Sequence, residues 1–164
     1  MEDINIKIAQ KLTSPNPFCL ITTSMPDQGT NIMALSWWTY VSNNPATVAI
    51  CLSKKGYSNE LINLNREFSM CFVIEDLREA AMKCGQTSGR RTNKAEQFNI
   101  ELQPAKIIKP QVVKHSRMVF ECKVTNTVDC GDHDIFIANI LNLYGNPDEK
   151  HLFSLEGYSC LSAI

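Results

Sequence analysis

The chain has 164 residues, 44% of them hydrophobic, which suits one domain spanning 1–164 with one substantial core and no long linker. Sixteen Lys and Arg offset seventeen Asp and Glu, and no block of like charges forms a basic arm or acidic tail, which argues against nucleic acid and membrane as partners. The seven cysteines, Cys19, Cys51, Cys71, Cys84, Cys122, Cys130 and Cys160, lie mostly in apolar runs and form neither a CxxC nor a zinc-spaced Cys/His cluster, so no metal site is expected and the thiols read as reduced.

Met1 to Gln10 lacks the apolar stretch of a signal peptide and no run approaches membrane-spanning length, so a cytoplasmic protein is expected. Ile4, Ile8 and Leu12 recur at helical spacing before Pro15 and Pro17, which predicts a short helix across one end of the domain. Phe18 to Ser24, the turn cluster Pro26-Asp27-Gln28-Gly29 and the extended Asn31 to Val41 read as a hairpin. Thr47 to Ser53 is nearly continuous in apolar residues, as for a strand buried on both faces. Leu61, Ile62 and Leu64 then take helical spacing behind Tyr57 and Ser58, and Phe68 to Ile74 returns to strand.

Leu77 to Cys84 and Asn93 to Phe98 read as helical pieces joined by the loop Thr87-Ser88-Gly89-Arg90-Arg91, a candidate rim of an active site. A short apolar piece lies between Pro104 and Pro110. From Met118 to Thr125 apolar and polar residues alternate as in a half-wet antiparallel strand, which turns at Cys130-Gly131-Asp132-His133. The return, Asp134 to Tyr144, has so few polar positions that it needs cover on both sides. Strands dominate without regular strand–helix alternation, so the expected fold is mainly β with short helices, an antiparallel barrel with helices at its mouth.

Chemistry-bearing residues are sparse. His115 and His151 sit in polar surroundings that suit a surface role, whereas His133 lies in a tight turn on a rigid hairpin, where a solvated and a functional histidine are both plausible. There is no P-loop and no GxGxxG after a strand, so a Rossmann nucleotide site is not expected. The segment Leu52-Ser53-Lys54-Lys55-Gly56-Tyr57-Ser58 runs from a strand end into a helix start, where free N–H groups and the positive dipole end favour an anion. An ordinary capped helix with solvated lysines explains the same residues. The basic loop Gly89-Arg90-Arg91-Thr92-Asn93-Lys94 could close over that anion. Asn31-Ile32-Met33-Ala34-Leu35-Ser36-Trp37-Trp38 mixes polar and small residues with two tryptophans, which would let a planar ring approach the backbone at Ala34.

In this order the pieces resemble the flavin reductase-like family of FMN-binding split barrels, most closely its flavoredoxin-type branch. The resemblance runs from about Pro17 to Tyr158. It rests on Ile21-Thr22-Thr23, Asn31 to Trp37, Val41-Ser42 with Pro45, Tyr57-Ser58-x-Glu60-Leu61-Ile62, Ser88-Gly89-Arg90 with Asn93-Lys94-Ala95-Glu96, Phe120-Glu121-Cys122, and Gly131-Asp132-His133 before Ile135-Phe136. The chain departs from common members in Asn44-Pro45, where a double proline is frequent, and in its short end after Tyr158.

The resemblance implies a Greek-key split barrel working as a homodimer, with FMN near the subunit interface. It implies that Asn31, Met33, Ala34 and Leu35 line the isoalloxazine, with Ser36 and Trp37 beside it. Ser53, Lys54, Tyr57 and Ser58 would approach the ribityl phosphate, with Arg90, Asn93 and Lys94 on a second phosphate-side loop, and His133 near the face where a nicotinamide stacks. The implied activity is an NAD(P)H-dependent flavin reductase in which NAD(P)H binds transiently and electrons pass to a flavin, a metal complex or a redox protein. A non-catalytic FMN electron carrier and a flavin-binding module without turnover are the alternatives.

Overall fold

The computed structural model describes residues 2–164. In chain order the elements are α1 (Ile6–Leu12), β1 (Asn16–Pro17), β2 (Cys19–Ser24), β3 (Thr30–Leu35), β4 (Trp38–Asn43), β5 (Ala46–Ser53), α2 (Tyr57–Asn65) and β6 (Glu67–Val73). A 3-10 turn, Glu75–Leu77, leads into α3 (Arg78–Gln86), followed by α4 (Lys94–Gln97), β7 (Leu102–Gln103), β8 (Val112–Val113), β9 (Ser116–Cys130), β10 (His133–Gly145), β11 (Leu152–Leu155) and β12 (Cys160–Ala163). The fold is thus mainly β with short helices, and every strand pairing is antiparallel. No helix among the described residues is long and apolar enough to cross a membrane.

Seven strands form one sheet in the order β3-β2-β6-β9-β10-β5-β4. Its two edges are consecutive in the chain: only Ser36 and Trp37 separate the end of β3 from the start of β4. Since two residues span less than about 11 Å even when extended, the sheet must curl until its edges nearly meet. The edges share no ladder, so the sheet remains open at this seam. The expected single extended segment from Asn31 to Val41 is therefore two strands broken at a corner.

The curl explains the burial pattern. On β2, Cys19 and Ile21 pack inside the curl with Val48, Ile50, Leu52, Phe68, Met70, Phe72, Phe120 and Phe136, while Phe18 and Leu20 point outward into a second cluster with Ala81, Cys84, Val112, Val113 and Leu152. Strand β6 divides likewise, Phe68, Met70 and Phe72 inward and Cys71 and Val73 outward. Both faces of the central strands are dry because α3, α4, β8 and the β11–β12 hairpin cover the outside. Each fully buried Phe, Leu or Ile contributes roughly 1.5–3 kcal/mol over its exposed state.

Glu121, on the outer face of β9, is fully buried and paired. It accepts the N–H groups of Lys106, Ile107 and Ile108 and the Tyr144 hydroxyl, which pins the strandless stretch between the two prolines.

The short helix expected before Pro15 forms as α1, though it buries no residue, and Ile6 and Leu12 are about 70% exposed. One expectation needs correction. Strand β5 alternates buried and half-buried positions instead of being dry on both faces. Strand β10 buries only Phe136 and Ala138 and leaves Leu141 and Leu143 in the open. Two register shifts against β9 interrupt its alternation.

Candidate functional site

Beside the start of α2 a cleft of about 350 Å3 opens between β3 and the segment Cys84 to Gly89. One wall carries Asn31, Met33 and Ala34 of β3. A second is Lys55-Gly56-Tyr57-Ser58, and a third is the end of α3 with the loop that follows it. Asn31, Met33, Ala34, Tyr57, Ser58 and Lys94, all expected from the sequence to lie at one site, line this cleft together.

The first turn of α2 has Gly56 at its N-cap position, and no side chain caps it. Its leading N–H groups therefore lack an internal acceptor at the edge of the cleft that Gly56, Tyr57 and Ser58 line, the arrangement that attracts an anion. Asn31 Nδ2 donates to Ser58 Oγ at 2.8 Å and to Thr23 Oγ1 at 3.3 Å, which ties β3 to α2 through a buried link. Gly89 lies so close that a Cβ there would collide with Asn31 Oδ1. Farther along, a Cβ on Gly85 would stand 3.2 Å from that of Ala34. The cleft thus continues past Ala34 into a more apolar recess of about 220 Å3 walled by Phe18, Ala81, Met82 and Tyr158.

Other residues singled out from the sequence lie elsewhere or hold the frame. Lys94 is 4% exposed and donates to Ile32 O at 2.7 Å and Cys84 O at 2.8 Å, which straps β3 to α3; burial lowers its pKa. Asn93 is the N-cap of α4, its side chain accepting from Glu96 N–H. Arg90 pairs with Glu60 and lies 4.8 Å over the Tyr57 ring. Leu35 is buried in the inner core. Ser53 is exposed on the strand end, and Lys54 turns to Asp129 and Asp134 of the β9–β10 hairpin, away from the cleft lining. The Asp129 hydrogen bond chiefly raises the Lys54 pKa.

Ser36 and Trp37 occupy the corner between the sheet edges. The Ser36 N–H donates to the Tyr158 hydroxyl at 3.0 Å, and the Trp37 ring lies 5.1 Å from that of His133. His133 Nδ1 is 2.7 Å from Asp132 Oδ1, a contact that holds the Asp132 carboxyl below its usual range. His133 pairs in register with Ser53, so the hairpin turn, Trp37 and the end of β5 form one neighbourhood, and the first turn of α2 is tied to it by Asn59, whose amide donates to Asp134 Oδ2 at 2.9 Å. Gly85, Gln86 and Tyr158 were not anticipated, because nothing local distinguishes them from helix-end and loop residues.

The family model described as "flavin reductase like domain" matches residues 12–160. Among solved structures, flavoredoxin from Methanosarcina acetivorans superposes with a TM-score of 0.88 at 22% identity, over 100% of this chain and 91% of that one. The NADH:FAD oxidoreductase of Streptomyces globisporus C-1027 gives 0.86 at 15% identity, over 100% and 98%. At these identities the likeness speaks for the fold. A sequence relative, the FMN reductase (NADH) of Stutzerimonas stutzeri, is 22% identical over 125 residues, 76% of this chain and 69% of that one.

Proposed function

The chain belongs to the flavin reductase-like family, and from that premise we propose that it is a cytoplasmic FMN-binding flavoprotein, one unit over 1–164, that acts as an NAD(P)H-dependent oxidoreductase. The observation that carries this reading is the cleft in which Asn31, Met33 and Ala34 face the uncapped start of α2. The residues fit the cofactor. A planar ring needs a backbone approach free of large side chains, which Ala34 and Gly85 offer, and a phosphate needs unpaired donors, which the first turn of α2 offers.

Bound FMN would supply reversible acceptance of a hydride or of single electrons. The chain's part is to hold and orient. The N–H groups at Tyr57 and Ser58, the Ser58 hydroxyl and the Lys55 ammonium bind the phosphate end. Asn31, fixed by Ser58 and Thr23, presents its carbonyl oxygen as an acceptor next to Gly89. Lys94 keeps β3 and α3 at a set spacing. The Trp37 and His133 rings, tilted by 36° to one another with centroids 5.1 Å apart, offer an aromatic surface for a transient nicotinamide. Electrons would leave to a flavin, a metal complex or a redox protein.

Anaerobic mixing of the FMN-loaded protein with NADH or NADPH tests the activity. Rapid bleaching of the flavin with either nicotinamide is expected. Bleaching by dithionite alone would convert the reading to an electron carrier, and failure to retain FMN at all would overturn it.

A further inference from the structure

Lys94 is bonded to two walls of the cleft at once. Its ammonium donates to Ile32 O at 2.7 Å, between the lining residues Asn31 and Met33 of β3, and to Cys84 O at 2.8 Å, beside the lining residue Gly85 of α3. The positive charge therefore lies where these walls meet, deep in the cleft, on a residue that is only 4% exposed. Two carbonyl acceptors favour the ammonium form.

No negative charge balances it. Among the described residues Lys94 takes part in no ion pair, and the cleft lining contains no Asp or Glu. Strand β3 carries no charged residue, the one acid of α3, Glu79, stands in its first turn at the end far from Cys84, and Glu96 of α4 is exposed. Burial pushes the neighbouring Cys84 thiol up to about 11, so it supplies no charge at neutral pH, and Lys55 adds a second cation to the lining. A buried cation without a counter-ion is costly, and a strap alone does not require one, since a neutral donor could serve the same carbonyls.

Resting on the flavin reading above, we infer that Lys94 is the counter-charge for the reduced flavin ring, holding it as an anion and so raising its reduction potential. A hydride from NAD(P)H brings two electrons and one proton to the neutral oxidised ring, which leaves one negative charge on the ring and releases NAD(P)+. In acidic water a second proton, taken from solvent, neutralises that charge. A fixed ammonium in a cleft that excludes water stabilises the charge without that proton. Lys94 thus acts on the ring and Lys55 on the phosphate end.

The test is anaerobic redox titration of the flavin-loaded protein against a reference dye between pH 5 and 8, with free FMN measured alongside. Free FMN changes from two protons per two electrons to one as pH rises, and the wild-type protein is expected to make that change at a pH lower by one unit or more. Lys94→Gln keeps a donor for the carbonyls and removes the charge. Its potential at pH 8 should fall by about 30 mV or more, which is a tenfold loss in affinity for reduced over oxidised flavin, and its proton change should return towards that of free FMN. Lys94→Met should shift the potential equally but melt at a lower temperature, because it also leaves both carbonyls unpaired. Riboflavin, which shares the ring and lacks the phosphate, should show the same shifts. An unchanged potential in Lys94→Gln, or a wild-type proton change at or above the pH of free FMN, would overturn the proposal. A shift seen with FMN and absent with riboflavin would overturn it too, placing Lys94 at the phosphate. If neither variant folds, the wild-type proton change decides alone. A protein that binds neither FMN nor riboflavin would sink the flavin reading and this inference with it, whereas bound flavin with an unshifted potential sinks this inference alone.

Discussion

Asn31 and Ser58 are 27 positions apart, yet the amide of one donates a 2.8 Å hydrogen bond to the hydroxyl of the other, with both residues more than nine-tenths buried. One residue stands on the ring side of the proposed cofactor site and the other on its phosphate side, so this link sets the spacing between the two halves. Replacing Asn31 by Ala strands the Ser58 hydroxyl and the Thr23 hydroxyl, and should lower stability by about 1–3 kcal/mol. Ser58→Ala should cost less, about 1 kcal/mol, because Thr23 still accepts from Asn31. A urea-denaturation double-mutant cycle reads the pair directly. A coupling energy near zero would show that the two residues are placed independently.

Gly89 tests the same spacing from the loop side. An alanine there drives its Cβ into Asn31 Oδ1, so the loop must retreat or the amide must turn. Gly89→Ala should weaken FMN binding at least severalfold with a smaller effect on melting temperature, because the loop lies outside the core. Equal FMN affinity in the variant would remove Gly89 from the site.

Lys94 gives a pH signature. Burial lowers its pKa, so between that lowered value and the ordinary value of about 10.4 the unfolded chain holds a proton that the native chain has released. In that window stability due to this group rises with pH; below it the group carries the full penalty of a buried charge. The stability of the wild type relative to Lys94→Met should therefore improve as pH rises towards the ordinary lysine value of about 10.4. A pH-independent difference would mean that the ammonium is no harder to charge in the fold than in water.

The thiols should divide by location. Burial raises the Cys71 and Cys84 pKa values to about 11, and Cys19 and Cys122 are raised as well, whereas Cys130 and Cys160 are exposed. A thiol-disulfide reagent at pH 8 should label Cys130 and Cys160 quickly and the four buried thiols only on unfolding. Half-buried Cys51, also raised, should lag behind the exposed pair. Cys84→Ser should leave flavin reduction nearly unchanged. Fast labelling of four or more thiols in the native protein would contradict the packing.

Much of this was legible in the chain because it depended on local pattern. The alternation from Met118 to Thr125 marked β9, the 3.6-residue spacing behind Tyr57 marked α2, and the glycine-bearing loop from Thr87 marked the cleft rim. Other features depended on contacts that local pattern does not encode. Nothing between Leu35 and Trp38 signals a break, since serine and tryptophan both accept extended backbone; the corner exists because the sheet curls there. Lys54 reads as a free cation until the hairpin 75 residues later brings Asp129 beside it. Lys94 reads as a loop-end cation, but its long stem lets the ammonium reach two carbonyls in the interior.

The uncovered apolar residues bear on assembly. Leu141 and Leu143 on β10 and Tyr40 and Val41 on β4 are each about half exposed, on strands flanking β5 within one sheet. A homodimer burying them would supply the second face of cover that the Asp134 to Tyr144 composition calls for. Sedimentation equilibrium at micromolar concentration should give a dimer, and Leu143→Asp should shift it towards monomer. A wild-type monomer that binds FMN fully would refute a shared-interface site.

The phosphate assignment separates two adjacent lysines. Lys55 lines the cleft with Gly56, Tyr57 and Ser58, whereas Lys54 is held by Asp129 and Asp134 at the hairpin. If the phosphate sits at the first turn of α2, Lys55→Ala removes a charge-assisted contact, a loss of about 1.5–3 kcal/mol in FMN binding, or roughly tenfold to a hundredfold in affinity. Ser58→Ala removes one neutral hydroxyl contact and should cost about 0.5–1.5 kcal/mol. Lys54→Ala should change FMN affinity less than either, because its ammonium already has carboxylate partners. Riboflavin separates phosphate contacts from general damage, since it carries no phosphate and its affinity should barely move in all three variants. The Lys55 effect should also shrink as salt is raised, whereas the Ser58 effect should not. A larger loss from Lys54→Ala than from Lys55→Ala would place the anion at the hairpin end of β5, and equal losses for FMN and riboflavin would remove the phosphate from α2.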